Sequence, residues 1–219
     1  LYNVVDSIFV SNYSQKAFTA VNFAFPVQML MIAVAVGTGV GINSLVSRRL
    51  GEKRNDEADS AASHGVVLGI ISWLVFALAG IFLTKLFFNM YTDDKEIIEN
   101  GIAYLSTVMI FSFGVFVEIN IEKSIQATGN MIFPMLFQLT GAVANIILDP
   151  IFIFGLKMGA LGAAVATVLG QILSMIFSII VAIYGNHYIR ISLRGFRFSG
   201  KTVKNIYAVG FPAIIMQSI

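Results

Sequence analysis

The sequence is poor in charge and contains no cysteine. Only 12% of its 219 residues are Asp, Glu, Lys or Arg, which is about half the share of an ordinary soluble chain. This deficit argues against a disordered protein, a nucleic-acid-binding protein and a typical cytosolic enzyme. The absence of cysteine excludes disulfides, thiolate zinc sites and cysteine nucleophiles. Neither a Ser/His/Asp triad pattern nor a His/Asp/Glu metal-ligand spacing is present, so we expect no enzyme.

Hydrophobic residues make up 57% of the chain and are concentrated in long runs. A helix needs about 20 apolar residues to cross roughly 30 Å of hydrocarbon, and backbone polar groups in lipid must pair internally. The runs do not alternate as barrel strands do. They predict an all-α, polytopic membrane bundle, whose second to sixth helices we place at 17–47, 57–87, 96–127, 131–155 and 160–187.

Both ends of the chain carry shorter apolar segments. Residues 1–10 would cover only about half a bilayer as a helix, and the polar stretch 11–16 predicts a loop. A new apolar run begins at 211 and stops at Ile219. The sequence therefore favours a piece of a longer protein, with helix 1 truncated and helix 7 only begun. We predict a six-helix transmembrane unit (1–187), a cytoplasmic linker with a candidate interfacial helix (188–210) and the start of helix 7 (211–219).

Most basic residues lie in three alternate connections between the helices. Because Lys and Arg concentrate on the cytoplasmic side of membrane proteins, we predict that these three connections are cytoplasmic. The basic cluster at 48–54 is typical of a topology determinant, and binding of anionic lipid is the alternative. The three connections hold Arg48, Arg49, Lys53, Arg54, Lys123, Arg190, Arg194, Arg197, Lys201 and Lys204.

A few polar residues lie inside the predicted spans. Ionisable groups in lipid are costly and usually face a cavity or a partner. At 1.5 Å per residue, Asp6, Asp149 and Thr167 each lie about 8 to 10 Å from the predicted outer end of their helix. Asn145 lies one turn from Asp149 on the same face. Two carboxylates in a dry pocket do not both ionise without a bound cation, so we predict a site for H⁺ or Na⁺.

Other polar positions are weaker candidates. Tyr2 lies one turn before Asp6, and Tyr2, Gln28 and Glu122 are candidates for lining a cavity. Glu122 belongs to an i, i+4 pair with Glu118, which indicates either a cation-attracting vestibule or, as we favour, an interfacial pair that bonds to the neighbouring lysine.

Proline and glycine predict local helix geometry. Pro26 and Pro150 lack an amide donor and are predicted to bend the second and fifth helices. The alternative for Pro150 is a helix end with a solvated aspartate before it. The run Gly37–Gly41 lacks the context of a phosphate-binding loop and favours close helix packing. The same holds for the small residues at 162, 166 and 170 of the sixth helix.

Taken in order, these segments resemble the first half of a multidrug and toxic compound extrusion (MATE) transporter. The resemblance covers nearly the whole chain, and the stretch from the fifth into the sixth helix is its most specific part. The matching segments are 1–10 with Asp6, Phe25-Pro26, 41–52, Gln126–Asn130 with Pro134-Met135, 145–155 with Asn145 and Asp149, and 159–167 with Thr167.

The resemblance implies two six-helix lobes that alternate access and export cationic or amphipathic compounds in exchange for inward-moving H⁺ or Na⁺. It assigns Asp6, Asn145, Asp149 and Thr167 to the cation site of the N-terminal lobe. It further implies a multi-pass plasma-membrane protein with no cofactor besides the coupling ion and no nucleic acid partner. Its partners would be small-molecule substrates, the lipid bilayer and a C-terminal lobe that this chain lacks.

Two other functions remain as alternatives. A lipid-linked oligosaccharide flippase of the same superfamily would have a cavity rich in arginine, whereas the predicted helix interiors contain none. A non-transporting membrane receptor or scaffold would bind its ligand without dependence on Na⁺ or protons.

Overall fold

The computed structural model describes residues 2–185, 189–192 and 196–218, with side chains from residue 6 onward. Every regular element in these residues is helical. Four helices are long and apolar enough to cross a membrane, and α5 with α6 makes a fifth if that bent pair is one span. The prediction of an all-α membrane protein is confirmed. The helices are α1 (Tyr2–Tyr13), α2 (Gln15–Gly51), α3 (Asn55–Phe82), α4 (Thr84–Tyr91), α5 (Lys95–Ile110), α6 (Phe113–Gln126), α7 (Ile132–Pro150), α8 (Gly159–Ile180) and α9 (Gly200–Ser218).

The chain divides into two compact units, and the long helices contribute residues to both. The first unit comprises Leu1–Gln28, Trp73–Gly114 and Leu139–Leu173, and the second comprises Met29–Ser72, Val115–Gln138 and Ser174–Ile219. The predicted linker and the predicted start of helix 7 both contribute to α9, which is one helix from Gly200 to Ser218. The domain boundaries at 187 and 210 stay predictions.

The predicted third helix, 57–87, is wrong as a single element. It ends at Phe82, and α4 begins at Thr84. The Thr84 hydroxyl donates a hydrogen bond of 2.7 Å to the Gly80 carbonyl. Side-chain bonds of this kind compete with the backbone ladder and often bend helices.

The predicted fourth helix, 96–127, is also divided, with a bend of 43° between α5 and α6. At the bend the Ser112 hydroxyl donates to the Met109 carbonyl at 2.8 Å. The Trp73 indole N–H donates to the Ile110 carbonyl, also at 2.8 Å. The bend is stabilised because these side chains satisfy carbonyls near the end of α5.

Small residues allow α8 to approach α7 closely in the first unit. A Cβ atom at Gly162 would lie 2.8 Å from the Phe152 backbone, and one at Gly170 would lie 2.9 Å from the Gly141 carbonyl oxygen. The partner surface is partly irregular, because α7 is followed by a π-helical turn from Ile151 to Gly155. This close packing holds the middle of α8 against the face of α7.

In the second unit, the glycines of α2 pack against α9. A Cβ atom at Gly41 would overlap the Ile206 carbonyl oxygen, and one at Gly210 would lie 2.9 Å from the Gly37 carbonyl oxygen. Ile206 is fully buried in a core shared by α2, α3 and α9. The Gly37–Gly41 run is therefore a helix-packing surface.

The connector between α8 and α9 is attached to the first turns of α3. The Arg190 N–H donates to Asp59 Oδ1 at 2.8 Å, and the Ser192 N–H donates to Ser63 Oγ at 3.2 Å. Ile189 is buried in the same core as Ile206. These contacts fix the path of the described connector residues and thereby the start of α9.

We predict that Gly170→Ala destabilises the protein by about 1 to 3 kcal/mol, because the added methyl group forces the α7 and α8 backbones apart. Gly51→Ala is the matched control, since a Cβ atom there meets nothing within 4 Å. Thermal unfolding of the complete protein in detergent measures both. Equal unfolding temperatures for the two variants would show that the α7–α8 contact is not tightly packed.

Candidate functional site

Asp6 is the centre of a buried polar cluster in the first unit. Its side chain, on α1, is fully buried. Its Oδ2 atom accepts hydrogen bonds from the Thr167 hydroxyl at 2.8 Å and from the Tyr104 hydroxyl at 3.0 Å. Its Oδ1 atom accepts from the Asn145 amide at 3.2 Å. Three other helices, α5, α7 and α8, thus direct donors at one carboxylate.

Asn145 connects the two acidic residues of the cluster. It lies one helical turn before Asp149 on α7, so both side chains face the same way. Its Nδ2 atom is 3.2 Å from Asp149 Oδ1 and 3.3 Å from Thr167 Oγ1. Asp6 Oδ1 is the third neighbouring acceptor, so the two hydrogens of the Asn145 amide are shared among three acceptor atoms. The carboxyl groups of Asp6 and Asp149 are thus connected through one amide, which lies within hydrogen-bond distance of an oxygen of each.

The cluster has excess acceptor capacity and, in the part of the chain that the structure describes, no basic partner. Asn145 Oδ1 and Asp149 Oδ2 are buried and accept no hydrogen bond. Among the described residues, no Lys or Arg forms an ion pair with Asp6 or Asp149. Unpaired buried charges are strongly unfavourable. The arrangement therefore suits a species that brings positive charge, either a proton or a small cation.

The residues present fit a monovalent metal ion. The carboxylate oxygens of Asp6 and Asp149 and the Thr167 hydroxyl are hard oxygen ligands of the kind that such cations prefer, whereas Asn145 directs its Nδ2 donor at them. Within the described ranges, no group of three or more His, Cys, Asp or Glu side chains converges. With two carboxylates, the cluster has enough charge for Na⁺ or for a shared proton.

Tyr104 extends the cluster and was missed by the sequence reasoning. It is fully buried on α5, and its hydroxyl accepts from Gln28 Nε2 at 3.0 Å while donating to Asp6. Gln28, a predicted cavity-lining residue, is buried here, and its Oε1 atom has no partner. In the sequence, Tyr104 is a single tyrosine in an apolar run, and no signal there separates this buried contact from ordinary aromatic packing.

Glu122 belongs to a separate cluster in the second unit. Its carboxylate accepts from Gln126 at 2.6 Å and from Gln138 at 3.2 Å. The Lys123 ammonium is 3.2 Å away, as the favoured interpretation of this pair expects. Glu118 is also buried, and its Oε1 atom has no hydrogen-bond partner. A cavity-lining role for Glu122 stays a prediction.

Three other predicted positions have different outcomes. α2 continues as a helix through Pro26. Pro150 is the last residue of α7, where the chain passes into the π-helical turn. This change of helix type agrees with the missing amide of proline, although the predicted bends themselves stay predictions. The side chain of Tyr2 lies outside the described residues.

Comparisons with protein families, curated proteins and solved structures all match this chain to related transporters. Residues 1–151 match the family model described as MatE. The chain is 26% identical over 218 residues to the multidrug export protein MepA of Staphylococcus saprophyticus, and this match covers 99% of the chain and 48% of that protein. The chain thus spans about half the length of the curated relatives it matches.

Two solved structures of a multidrug resistance MATE family transporter of the MOP superfamily match as well. The outward-facing conformation is 31% identical with a TM-score of 0.93, and the match covers 99% of this chain and 48% of the other. The inward-facing conformation is 32% identical with the same TM-score, covering 99% and 50%. These relatives are described as transporters or export proteins. The chain belongs to the MatE family of multidrug and toxic compound extrusion transporters, which are multi-pass proteins of the plasma membrane.

Proposed function

We propose that this chain forms one half of a secondary active transporter that exports cationic or amphipathic compounds by alternating access. The exchanged ion is H⁺ or Na⁺, bound by Asp6, Asn145, Asp149 and Thr167. One observation carries the proposal. Two fully buried carboxylates share a neutral amide donor and have no basic partner in the described residues. A purely structural cluster would not retain two such acids without compensation.

The coupling follows from electrostatics. Two like unit charges at a generic separation of about 4 Å repel by about 4 kcal/mol at an effective dielectric constant of 20, which sets the order of magnitude for a buried carboxylate pair. A bound proton or Na⁺ removes this repulsion and draws α1, which carries Asp6, toward α7, which carries Asp149. The energy is comparable to the few kcal/mol that separate alternative conformations of a protein. Loading and release of the cation therefore suffice to favour one helix arrangement over another.

The relatives support this proposal in two ways. The Staphylococcus protein is named a multidrug export protein. The chain also matches outward-facing and inward-facing conformations of a family transporter equally well, with a TM-score of 0.93 in each case. Such similarity agrees with alternating access in which this half of the protein keeps much of its shape.

The two alternative functions, a lipid-linked oligosaccharide flippase and a non-transporting receptor or scaffold, are less favoured. The buried polar groups of the cluster are carboxylate, amide and hydroxyl groups, and no arginine contributes to it. A flippase for anionic oligosaccharide-linked lipids would need basic groups for its phosphates. A receptor or scaffold gives no reason for an uncompensated acid pair. Cation-linked transport explains that pair.

We predict that Asp149→Asn in the complete protein abolishes ion-coupled ethidium efflux from energised vesicles, because one of the two charges that respond to the cation is lost. Asp93→Asn, at an exposed position, is the matched control and should retain efflux. Unfolding temperatures of both variants show whether each is folded. Undiminished efflux by folded Asp149→Asn protein would remove this residue from the coupling mechanism.

A substitution of Thr167 tests the proposed cation site without changing the charge of the site. We predict that Thr167→Val, which keeps the shape but loses the hydroxyl, weakens the apparent affinity for the coupling cation about 10- to 100-fold, as expected for a lost bond to a charged group. Thr167→Ser should retain most of the affinity. The measurement is efflux against separately imposed Na⁺ and pH gradients. Equal behaviour of the two variants toward both ions would contradict the role of the hydroxyl.

A further inference from the structure

A cavity of about 310 Å³ lies in the second unit, where the end of α2, the start of α3 and the start of α9 meet. It is distinct from the Asp6 cluster and plays no part in the proposed transport mechanism. Its polar lining includes Arg49, Arg54, Ser60, Lys201, Thr202 and Asn205. Two basic segments that are about 150 residues apart in the sequence thus converge on one cavity, on the predicted cytoplasmic side.

The α9 wall of the cavity is held by buried contacts. The Ser199 N–H donates to His64 Nε2 at 2.9 Å, and His64 Nδ1 lies 2.7 Å from the Ser60 carbonyl oxygen. Because an amide N–H can only donate, Nε2 is the acceptor and Nδ1 carries the proton. His64 is fully buried, and the Phe196 ring packs against it at 4.6 Å. The first turn of α9 is therefore fixed in place beside the cavity.

The opposite wall is built from arginines that are already oriented. Arg49 and Arg54 each form ion pairs with both Glu52 and Glu57. The Arg49 side chain is only 12% exposed. These carboxylates fix the guanidinium groups and neutralise much of their charge. Guanidinium groups have five N–H donors each, so they retain donors for a further ligand.

Lys201 supplies charge that nothing nearby compensates. Within the described part of the chain, no carboxylate lies within 4 Å of its ammonium group. The three cationic cavity residues are opposed by Glu57 in the lining and by Glu52, which pairs with both arginines, so the excess positive charge is that of Lys201. The remaining polar groups are the hydroxyl and amide groups of serine, threonine and asparagine. The cavity thus combines net positive charge with neutral hydrogen-bond donors.

We propose that this cavity binds a phosphate group, either of an anionic phospholipid or of free phosphate. Guanidinium, ammonium and hydroxyl donors together match the charge and the several acceptor oxygens of phosphate. Anionic lipids of the cytoplasmic leaflet would present such a group at the predicted cytoplasmic surface. A bound phosphate bridges α9 to the α2–α3 corner and strengthens the attachment of the connector.

The test uses the complete protein in phosphatidylcholine nanodiscs and measures its unfolding temperature. One arm titrates inorganic phosphate, and the other replaces part of the phosphatidylcholine by phosphatidylglycerol. Lys201→Gln removes the uncompensated charge, whereas Lys204→Gln removes a charge that is also exposed, on the same helix but outside the cavity. Neither lysine is buried, so both variants should fold as the unmodified protein does in phosphatidylcholine alone.

We expect saturable stabilisation in at least one arm, with an apparent affinity at least about tenfold weaker in Lys201→Gln and nearly unchanged in Lys204→Gln. Stabilisation by inorganic phosphate identifies the free anion as a sufficient ligand. Stabilisation by phosphatidylglycerol alone identifies a lipid headgroup. No stabilisation in either arm, or an equal loss in the two variants, would overturn the proposal, because the basic residues would then act only as diffuse surface charge.

Discussion

Two buried acids that have no basic partner among the described residues are the feature on which the rest of this structure depends. Asp6 and Asp149 lie on different helices, and the Asn145 amide is 3.2 Å from both. In a dry interior such a pair is stable only when a proton or cation reduces its charge. In the proposed mechanism, occupancy of the cluster by a small cation is therefore linked to the relative positions of α1 and α7. Ion-coupled transport needs a link of this kind.

The surrounding helix packing brings the hydrogen-bonding groups of the cluster together. Glycines of α8 bring its backbone to within contact distance of α7, so Thr167 reaches both Asp6 and Asn145. Tyr104 on α5 completes the coordination of Asp6. The same principle operates in the second unit, where Gly37 and Gly41 of α2 admit α9. The lack of a side chain at these glycines thus lets the helices approach closely, and in the first unit this approach brings the polar side chains of the cluster together.

The fold class and the convergence of Asp6, Asn145, Asp149 and Thr167 could be predicted because each depends on local patterns, whereas their role in binding a cation stays a proposal. Long uncharged runs identify the spans, and helical rise alone brings Asp6, Asp149 and Thr167 to one depth. The divided helices could not be predicted in this way. The break before Thr84 and the bend at Ser112 depend on hydrogen bonds to specific carbonyls. One of these carbonyls, that of Ile110, accepts from Trp73, which is 37 residues earlier in the chain. Tyr104 was missed because a single tyrosine in an apolar run is more typical of a side chain that packs in a hydrophobic core.

Infrared difference spectroscopy of the complete protein tests most directly whether the two acids share one cation. We predict that adding Na⁺, or raising the pH, removes a protonated carboxyl band that the unmodified protein shows. The Asp6→Asn/Asp149→Asn double variant should lack this change. A spectrum in which both aspartates stay ionised whether or not the cation is present would contradict the proposed cation site.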